Sequence, residues 1–373
     1  MTPQVRPTSA HVDLVQLATN LRLIRNHLPA SPKILAAVKG DAYGHGAARC
    51  ARALEASGVD WFGVALVEEG RALRAAGIEA PILCLGGVGP LGAEEAIRNR
   101  LTPLIGNIEE AISMNTAATD AGLTYPIHIK VDTGMGRLGV PAHLWNHFLD
   151  QLADCRNLQV QGIASHLAES ETVGGKINTE QQFRKYEEAV AAAKHRGFDT
   201  TLNHISNSGA VLQYPNRGSD MVRPGLLLYG YDPGNRIPRI DVKPIMTVKT
   251  QVLVVRDLPA GVGVSYGGQY TTTRPCRLAT LPVGYADGYP RALSDQAEVL
   301  IHGQRAPVRG RVCMDLCMID VTDVTTPVKA GDDVILLGEQ DGNKITAWDL
   351  ADWAKTIPYE ILAGFSERIP RIS

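Results

Sequence analysis

Short apolar runs alternate with longer alanine-rich, charged segments through roughly the first 240 residues, and this rhythm constrains the fold more than any other feature of the chain. The runs are Ile34–Val38, Trp61–Ala65, Ile82–Leu85, Pro103–Ile105, Ile127–Val131, Val160–Ala164, Leu202–Ile205 and Asp220–Val222. Between them lie stretches with helical character: Ala47–Ala56, Glu68–Ala76, Ala93–Arg98, Ile108–Ala121, His143–Ala153 and Thr179–Arg196. Short, wholly apolar strands separated by helices are the mark of a parallel sheet covered on both faces. About eight such units in this length predict a (β/α)8 barrel over residues 1–240 rather than an open sheet.

Beyond Ile240 the texture changes. Val248–Val255, Arg277–Val283, Ala297–His302, Ala306–Val312, Met318–Val321 and Asp333–Leu337 read as strands separated by Gly and Pro turns, with one helix near Thr346–Thr356. Residues 241–373 are therefore expected to form a second, mainly β domain. Apolar residues make up 45% of the 373 and charged residues 20%, which suffices for a sizeable core. A formal net charge of -2 offers no basic field, so a nucleic-acid partner is not expected. The apolar runs are far short of the roughly 18 residues a membrane span requires, and the first residues lack the apolar centre of a signal peptide. A soluble, cytoplasmic protein without a membrane partner is the expectation. The six cysteines include no Cys-x-x-Cys pair and no zinc spacing, so reduced, buried thiols and no metal are expected.

Several apolar runs end in chemically capable residues. Ile34–Val38 leads into Lys39-Gly-Asp-Ala-Tyr43, and Ile127–Val131 into Asp132-Thr-Gly-Met-Gly-Arg137. Val160–Ala164 leads into Ser165-His166, Leu202–Ile205 into Ser206-Asn207-Ser208, and Asp220–Val222 into Arg223-Pro-Gly225. Barrel strands present their C-terminal ends on one face, where active sites are built. A lysine directly after an apolar strand tends to be desolvated, which disfavours its ammonium and frees a nucleophilic amine. Taken alone, Lys39 would be a snorkelling surface lysine. Its setting, AVKGDAYGHG, argues otherwise, because three glycines permit close backbone approach.

Two other patterns carry less weight. Gly87-Val-Gly89-Pro-Leu-Gly92 has the G-x-G-x-x-G form of a dinucleotide loop, but the next strand ends in Gly106-Asn107 rather than an acid. His143 and His147 have metalloprotease spacing without the intervening glutamate, as a solvated helix face also would.

AVKGDAYGHG resembles the cofactor-lysine segment of alanine racemases, which use pyridoxal 5'-phosphate. KVDTGMGRLG (130–139), SNSGA (206–210), VRPGLLLYG (222–230), VSYG (264–267), VGYADGYPR (283–291) and RVCMD (311–315) resemble further family segments in family order. The resemblance implies a barrel followed by a β domain, and a homodimer whose active sites are shared between subunits. It implies interconversion of L- and D-alanine by two bases, supplying D-alanine for peptidoglycan. Lys39 would carry the cofactor as an aldimine and act on one face of the substrate, and Tyr266 on the other. An ordinary tyrosine pKa of about 10 is high for a base, so positive charge beside Tyr266 is expected.

By the same resemblance, Tyr43, Asn207, Ser208, Gly225 and Leu226 contact the phosphate. His166 and Arg223 link the cofactor ring toward the tyrosine, with His204 extending the chain. Arg223 at the pyridine nitrogen would leave the ring neutral, since arginine only donates and does not deprotonate. Arg137 and the Met314 amide receive the substrate carboxylate, and Lys130 matches a lysine that many members carry as a carbamate. Tyr285, Arg291, Arg311, Cys313 and Asp315 support the pocket and its entrance. Some members place a C-terminal tyrosine at the phosphate. Here its expected equivalent in AGFSERIPR is Glu367, Tyr359 lying too early in the chain, which leaves selectivity for alanine open. The rivals are a broad-specificity racemase, a decarboxylase of the same fold type, and a non-catalytic vitamin B6-binding protein.

Overall fold

The computed structural model describes residues 6–29, 32–89, 91–171, 176–217, 219–236 and 239–373. They group into two compact units. One comprises Val15–Ala42 and Ala47–Lys243; the other comprises Met1–Leu14, Tyr43–Gly46 and Pro244–Ser373. The strands run β1 (Ser9–Val12), β2 (Lys33–Ala37), β3 (Trp61–Val64), β4 (Ile82–Cys84), β5 (Leu101–Ile105), β6 (Tyr125–Asp132), β7 (Val140–Pro141), β8 (Leu158–Ala164) and β9 (Met221–Val222).

In the larger unit β2 to β6 pair in parallel in chain order, β8 adds to β6, and β9 returns to β2. Two parallel bridges close the circuit, Ala164 with His204 and Asn207 with Arg223. The run Leu202–Ile205 is thus a stave of the barrel held by bridges at either side rather than by a ladder. The result is the expected (β/α)8 barrel. Leu35, Trp61, Leu83, Leu104, Ala164 and Met221 meet in one buried cluster, each from a different strand. That is how barrel interiors fill: inward side chains stack in layers and leave no pore. Outside, the helices pack through residues such as Met114, Trp145, Phe148 and Phe183. Asn107 starts helix Ile108–Asp120 by accepting a hydrogen bond from the Glu110 N–H (2.8 Å).

The smaller unit is mainly β. Besides β1, its strands are β10 (Met246–Gln251), β11 (Val254–Leu258), β12 (Gly263–Val264), β13 (Tyr270–Thr271), β14 (Cys276–Leu281), β15 (Glu298–Ile301), β16 (Gln304–Pro307), β17 (Cys317–Asp320), β18 (Asp333–Gln340), β19 (Asn343–Ile345) and β20 (Arg371–Ile372). β1 lies in this unit and not in the barrel: it pairs antiparallel with β10, setting buried Ala10 against Val248 and Val12 against Met246. The division expected at residue 240 therefore misplaces the first strand, whose apolar face matches the second sheet. The single run expected at Val248–Val255 is two strands in different sheets. The chain turns at Val252 and Leu253, whose N–H groups donate to Asp332 and Thr280. Helix Ala347–Ala354 opens on a Thr346/Asp349 capping box and closes on Lys355 in the left-handed region, before a second helix, Pro358–Gly364.

All six cysteines are free thiols, five of them buried and Cys313 half-buried. No helix among the described residues is long and apolar enough to cross a membrane.

Candidate functional site

Lys39 follows β2 at the C-terminal end of the barrel strands and begins a turn wound in the unusual hand. From Gly40 to Gly44 every φ is positive, between 52 and 80 degrees. Asp41, Ala42 and Tyr43 are L-residues with a Cβ, so this left-handed turn costs about 1–2 kcal/mol for each of them. Strain of this kind persists only where surroundings over-determine it, which is typical of functional sites. Glu69 anchors the turn, one carboxylate oxygen accepting from the Gly40 N–H (2.7 Å) and the other from the Ala65 N–H (2.6 Å).

Lys39 is half-buried. Burial, then the charge of Arg137, pushes its pKa down, with Arg223 adding to the effect and Glu69 opposing it. Lys130, buried on β6, is lowered to about 8, first by burial and then by Arg223 and Arg137. Both amines are thus shifted toward their neutral, nucleophilic form. Asp132 explains the KVDTGMGRLG segment: its carboxylate accepts from the N–H groups of Gly134, Met135 and Gly136, and this shapes the loop that carries Arg137. Arg137 is exposed at the end of that loop.

Arg223 is buried, and no carboxylate among the described residues forms an ion pair with it. Its guanidinium donates to the Ser165 carbonyl (2.7 Å), to Nδ1 of His204 (2.7 Å) and, at 3.3 Å, to Nδ1 of His166. Burial and then the Arg223 charge hold His166 far below its ordinary range, at about 2. Ser208 Oγ accepts from the Gly225 N–H (2.9 Å), which brings the SNSGA and VRPGLLLYG segments together beside Leu226. Asn207 caps the short helix Ser208–Gln213, its side-chain oxygen accepting from the Ala210 N–H and the Ser170 hydroxyl. This unit therefore gathers the amines of Lys39 and Lys130 and the imidazoles of His166 and His204, all pushed toward their uncharged forms, around the charges of Arg137 and Arg223. An anionic electrophile suits it: Lys39 could bind an aldehyde, and the Ser208–Gly225–Leu226 corner and the unpaired arginine charge could receive anionic or electron-rich groups.

The second unit gathers another set. Tyr266 opens a short turn and is 71% exposed. Ser265 before it has φ 64 and ψ -171, a region that only glycine enters readily. The Ser265 hydroxyl donates to the Arg311 carbonyl (2.8 Å) and lies 3.4 Å from the Cys313 sulfur. Ser265, Tyr266, Cys313, Met314 and Asp315 line one groove of about 870 Å³. Tyr285 lies beside it, its N–H donating to the Cys313 carbonyl (3.0 Å). A Cβ on Gly284 would sit 2.3 Å from that carbonyl, so no larger residue fits there. Asp315 accepts from Arg368 (2.7 Å), and Arg311 donates to Gln269 (3.0 Å). Arg291, on a separate exposed turn, is not a wall of the groove. Tyr43 is half-buried with its phenol pushed up to about 12 by desolvation, and its ring stands 5.9 Å from that of Tyr359. Glu367, the expected equivalent of the family's C-terminal tyrosine, is exposed.

The glycine-rich loop at 87–92 has a structural partner. Glu110, itself buried, accepts from the Val88 (2.8 Å), Gly89 (3.0 Å) and Gly106 (3.1 Å) N–H groups. The amides a dinucleotide phosphate would need are held by a carboxylate; Pro90 lies outside the described residues. Sequence reasoning missed His128, which donates to or accepts from His204 at 2.7 Å. A signal existed: His128 stands two residues before Lys130, and positions i and i+2 of a strand share a face.

Residues 12–233 match the family model described as the alanine racemase N-terminal domain, and residues 245–373 match that of the C-terminal domain. The chain is 43% identical over 367 residues to the alanine racemase of Halothermothrix orenii, covering 98% of this chain and 96% of the relative. It superposes with a TM-score of 0.93 on the Bacillus anthracis alanine racemase solved with bound L-Ala-P, at 33% identity, covering 100% and 96% of the two chains. The Bartonella henselae alanine racemase, solved with covalently bound pyridoxal phosphate, gives a TM-score of 0.89 at 30% identity, covering 98% and 99%.

Proposed function

The chain belongs to the alanine racemase family, and on that premise we propose that it interconverts L- and D-alanine with pyridoxal 5'-phosphate held covalently by Lys39. The observation that carries this reading is Lys39 itself: a half-buried amine at a barrel-strand end, its ammonium disfavoured by burial and by neighbouring cations. When bound, pyridoxal phosphate makes the α-proton of an amino acid acidic by delocalising the charge left behind. Lys39 moves that proton on one face of the α-carbon. Inversion needs a second group on the opposite face, since one base alone returns the proton where it left. We assign that role to Tyr266 of the partner subunit, in a homodimer with shared sites. The exposure of Tyr266 in the single chain supports this, because a proton-transfer group works best when covered.

Tyr43, Asn207, Ser208, Gly225 and Leu226 would hold the phosphate. Arg137 and the Met314 N–H, for which no acceptor exists among the described residues, would bind the substrate carboxylate. The planar fork of arginine suits a carboxylate. Arg223, a donor that keeps its proton, would face the ring nitrogen and limit how much charge the ring accepts. Cytoplasmic supply of D-alanine for peptidoglycan completes the proposal. A D-amino-acid oxidase-coupled assay on L-alanine and a panel of other L-amino acids tests it. Alanine-selective activity that Lys39→Ala abolishes is expected. Equal rates across the panel would favour a broad-specificity racemase, and no activity with bound vitamin B6 would favour a binding protein.

A further inference from the structure

We infer that His128 is a positioning residue for Arg223, acting through His204 along a hydrogen-bonded line across the barrel interior. The three groups form a continuous series. Arg223 Nη1 lies 2.7 Å from His204 Nδ1, and His204 Nε2 lies 2.7 Å from His128 Nδ1. Both imidazoles are completely buried. Arginine can only donate, so His204 Nδ1 must accept and carries no proton. A neutral imidazole then has its one proton on Nε2, which must be the donor to His128. His128 Nδ1 accepts in turn, and its own proton is on Nε2. The reverse assignment would make both nitrogens of His204 acceptors, which a neutral imidazole cannot offer. The donor-only arginine thus orders both tautomers from one end.

The far end is equally defined. His128 Nε2 has no hydrogen-bond partner among the described residues, and the imidazole packs against Trp61 with ring centroids 5.5 Å apart. No acceptor among the described residues draws His128 out of line. Two imidazole dipoles therefore point their negative ends at a guanidinium that has no carboxylate partner among the described residues. They stabilise its charge without cancelling it, and such aligned chains strengthen one another. Without an acceptor at position 128, the unsatisfied N–H that now sits on His128 Nε2 would move to His204, beside Arg223. His204 could then reduce that penalty by moving its proton to Nδ1, which would face a second donor on Arg223. The consequence for the ring nitrogen rests on the function proposed above; the tautomer order does not.

Histidine-selective 15N NMR on the purified enzyme, with His128→Leu and His128→Gln, tests this. In the unsubstituted enzyme both histidines should show protonated Nε2 and bare Nδ1. His128→Leu should disturb the His204 signal, shift the absorbance of bound pyridoxal phosphate, and lower kcat by about tenfold or more at nearly constant KM, the scale of a lost outer hydrogen bond. His128→Gln, whose carbonyl can accept, should restore the tautomer and most of kcat. A protonated Nδ1 on His204 in the unsubstituted enzyme would overturn the inference. So would His128→Leu that melts earlier yet keeps the His204 signal and kcat per folded site, since that is packing alone. Absence of vitamin B6 and of racemisation in the unsubstituted enzyme would instead defeat the functional reading, and the NMR result would still decide the tautomers.

Discussion

Arg223 donates to Nδ1 of His204 at 2.7 Å, and this contact replaces the carboxylate that a buried guanidinium would ordinarily pair with. Replacing Arg223 by glutamate reverses the charge presented to the proposed ring nitrogen and lets that nitrogen keep a proton. Racemisation should fall by roughly 10²–10³-fold, the scale of one lost stabilising donor. Transfer of the amino group to the cofactor should rise, yielding pyruvate from alanine. Pyruvate measured with lactate dehydrogenase gives the ratio of the two reactions. An unchanged ratio would remove Arg223 from the ring nitrogen.

Lys130 offers a pH test. Its folded pKa is lowered to about 8 by burial and by two arginines. An unfolded lysine titrates near about 10.4. Between those values the unfolded chain binds the extra proton, so stability should rise with pH across that window through this residue. The same neutral amine can add carbon dioxide, releasing a proton and forming a carbamate anion beside Arg137. With 13C-bicarbonate, a carbamate resonance should grow as pH rises toward and above 8 and be missing in Lys130→Ala. A spectrum without it in the unsubstituted protein would leave Lys130 unmodified.

Subunit mixing tests the shared site. Lys39→Ala and Tyr266→Phe proteins should each be nearly inactive. After exchange, random pairing in a two-fold dimer gives half hybrids with one intact site each, so activity should recover to about a quarter of normal. Confirmed exchange without recovery would mean that Lys39 and Tyr266 do not act across subunits.

How much of this was legible in the sequence depends on the physics of each residue. The barrel was, because strands buried on both faces must be apolar and the helices between them must be amphipathic. The places of Lys39, His166 and Arg223 were, because each stands just past the end of such a strand, and Arg137 lies on the loop that follows one. The placement of β1 was not: four residues, Ser9–Val12, carry too little pattern to reveal that their partner is β10, more than two hundred residues away. The left-handed turn after Lys39 was also hidden, since Asp41, Ala42 and Tyr43 have no intrinsic preference for it. That the Tyr359 ring packs beside Tyr43 was hidden as well, since the packing of the last helix decides which ring reaches it.

Glu110 distinguishes a structural loop from a nucleotide site. Glu110→Gln keeps one acceptor oxygen and removes the charge that receives three backbone N–H groups. A loss of about 1–3 kcal/mol in urea unfolding is expected, the range for disturbing buried hydrogen bonds to a charged group. Racemisation per folded site should be unchanged, and nicotinamide dinucleotide should bind neither protein in calorimetry.

The covalent role of Lys39 can be measured most directly in the visible spectrum of the purified protein before and after borohydride. A visible absorption band should vanish on reduction, and peptide mass spectrometry should find the reduced cofactor fixed to Lys39 alone. A colourless protein, a band indifferent to borohydride, or a label on any other lysine would contradict the account.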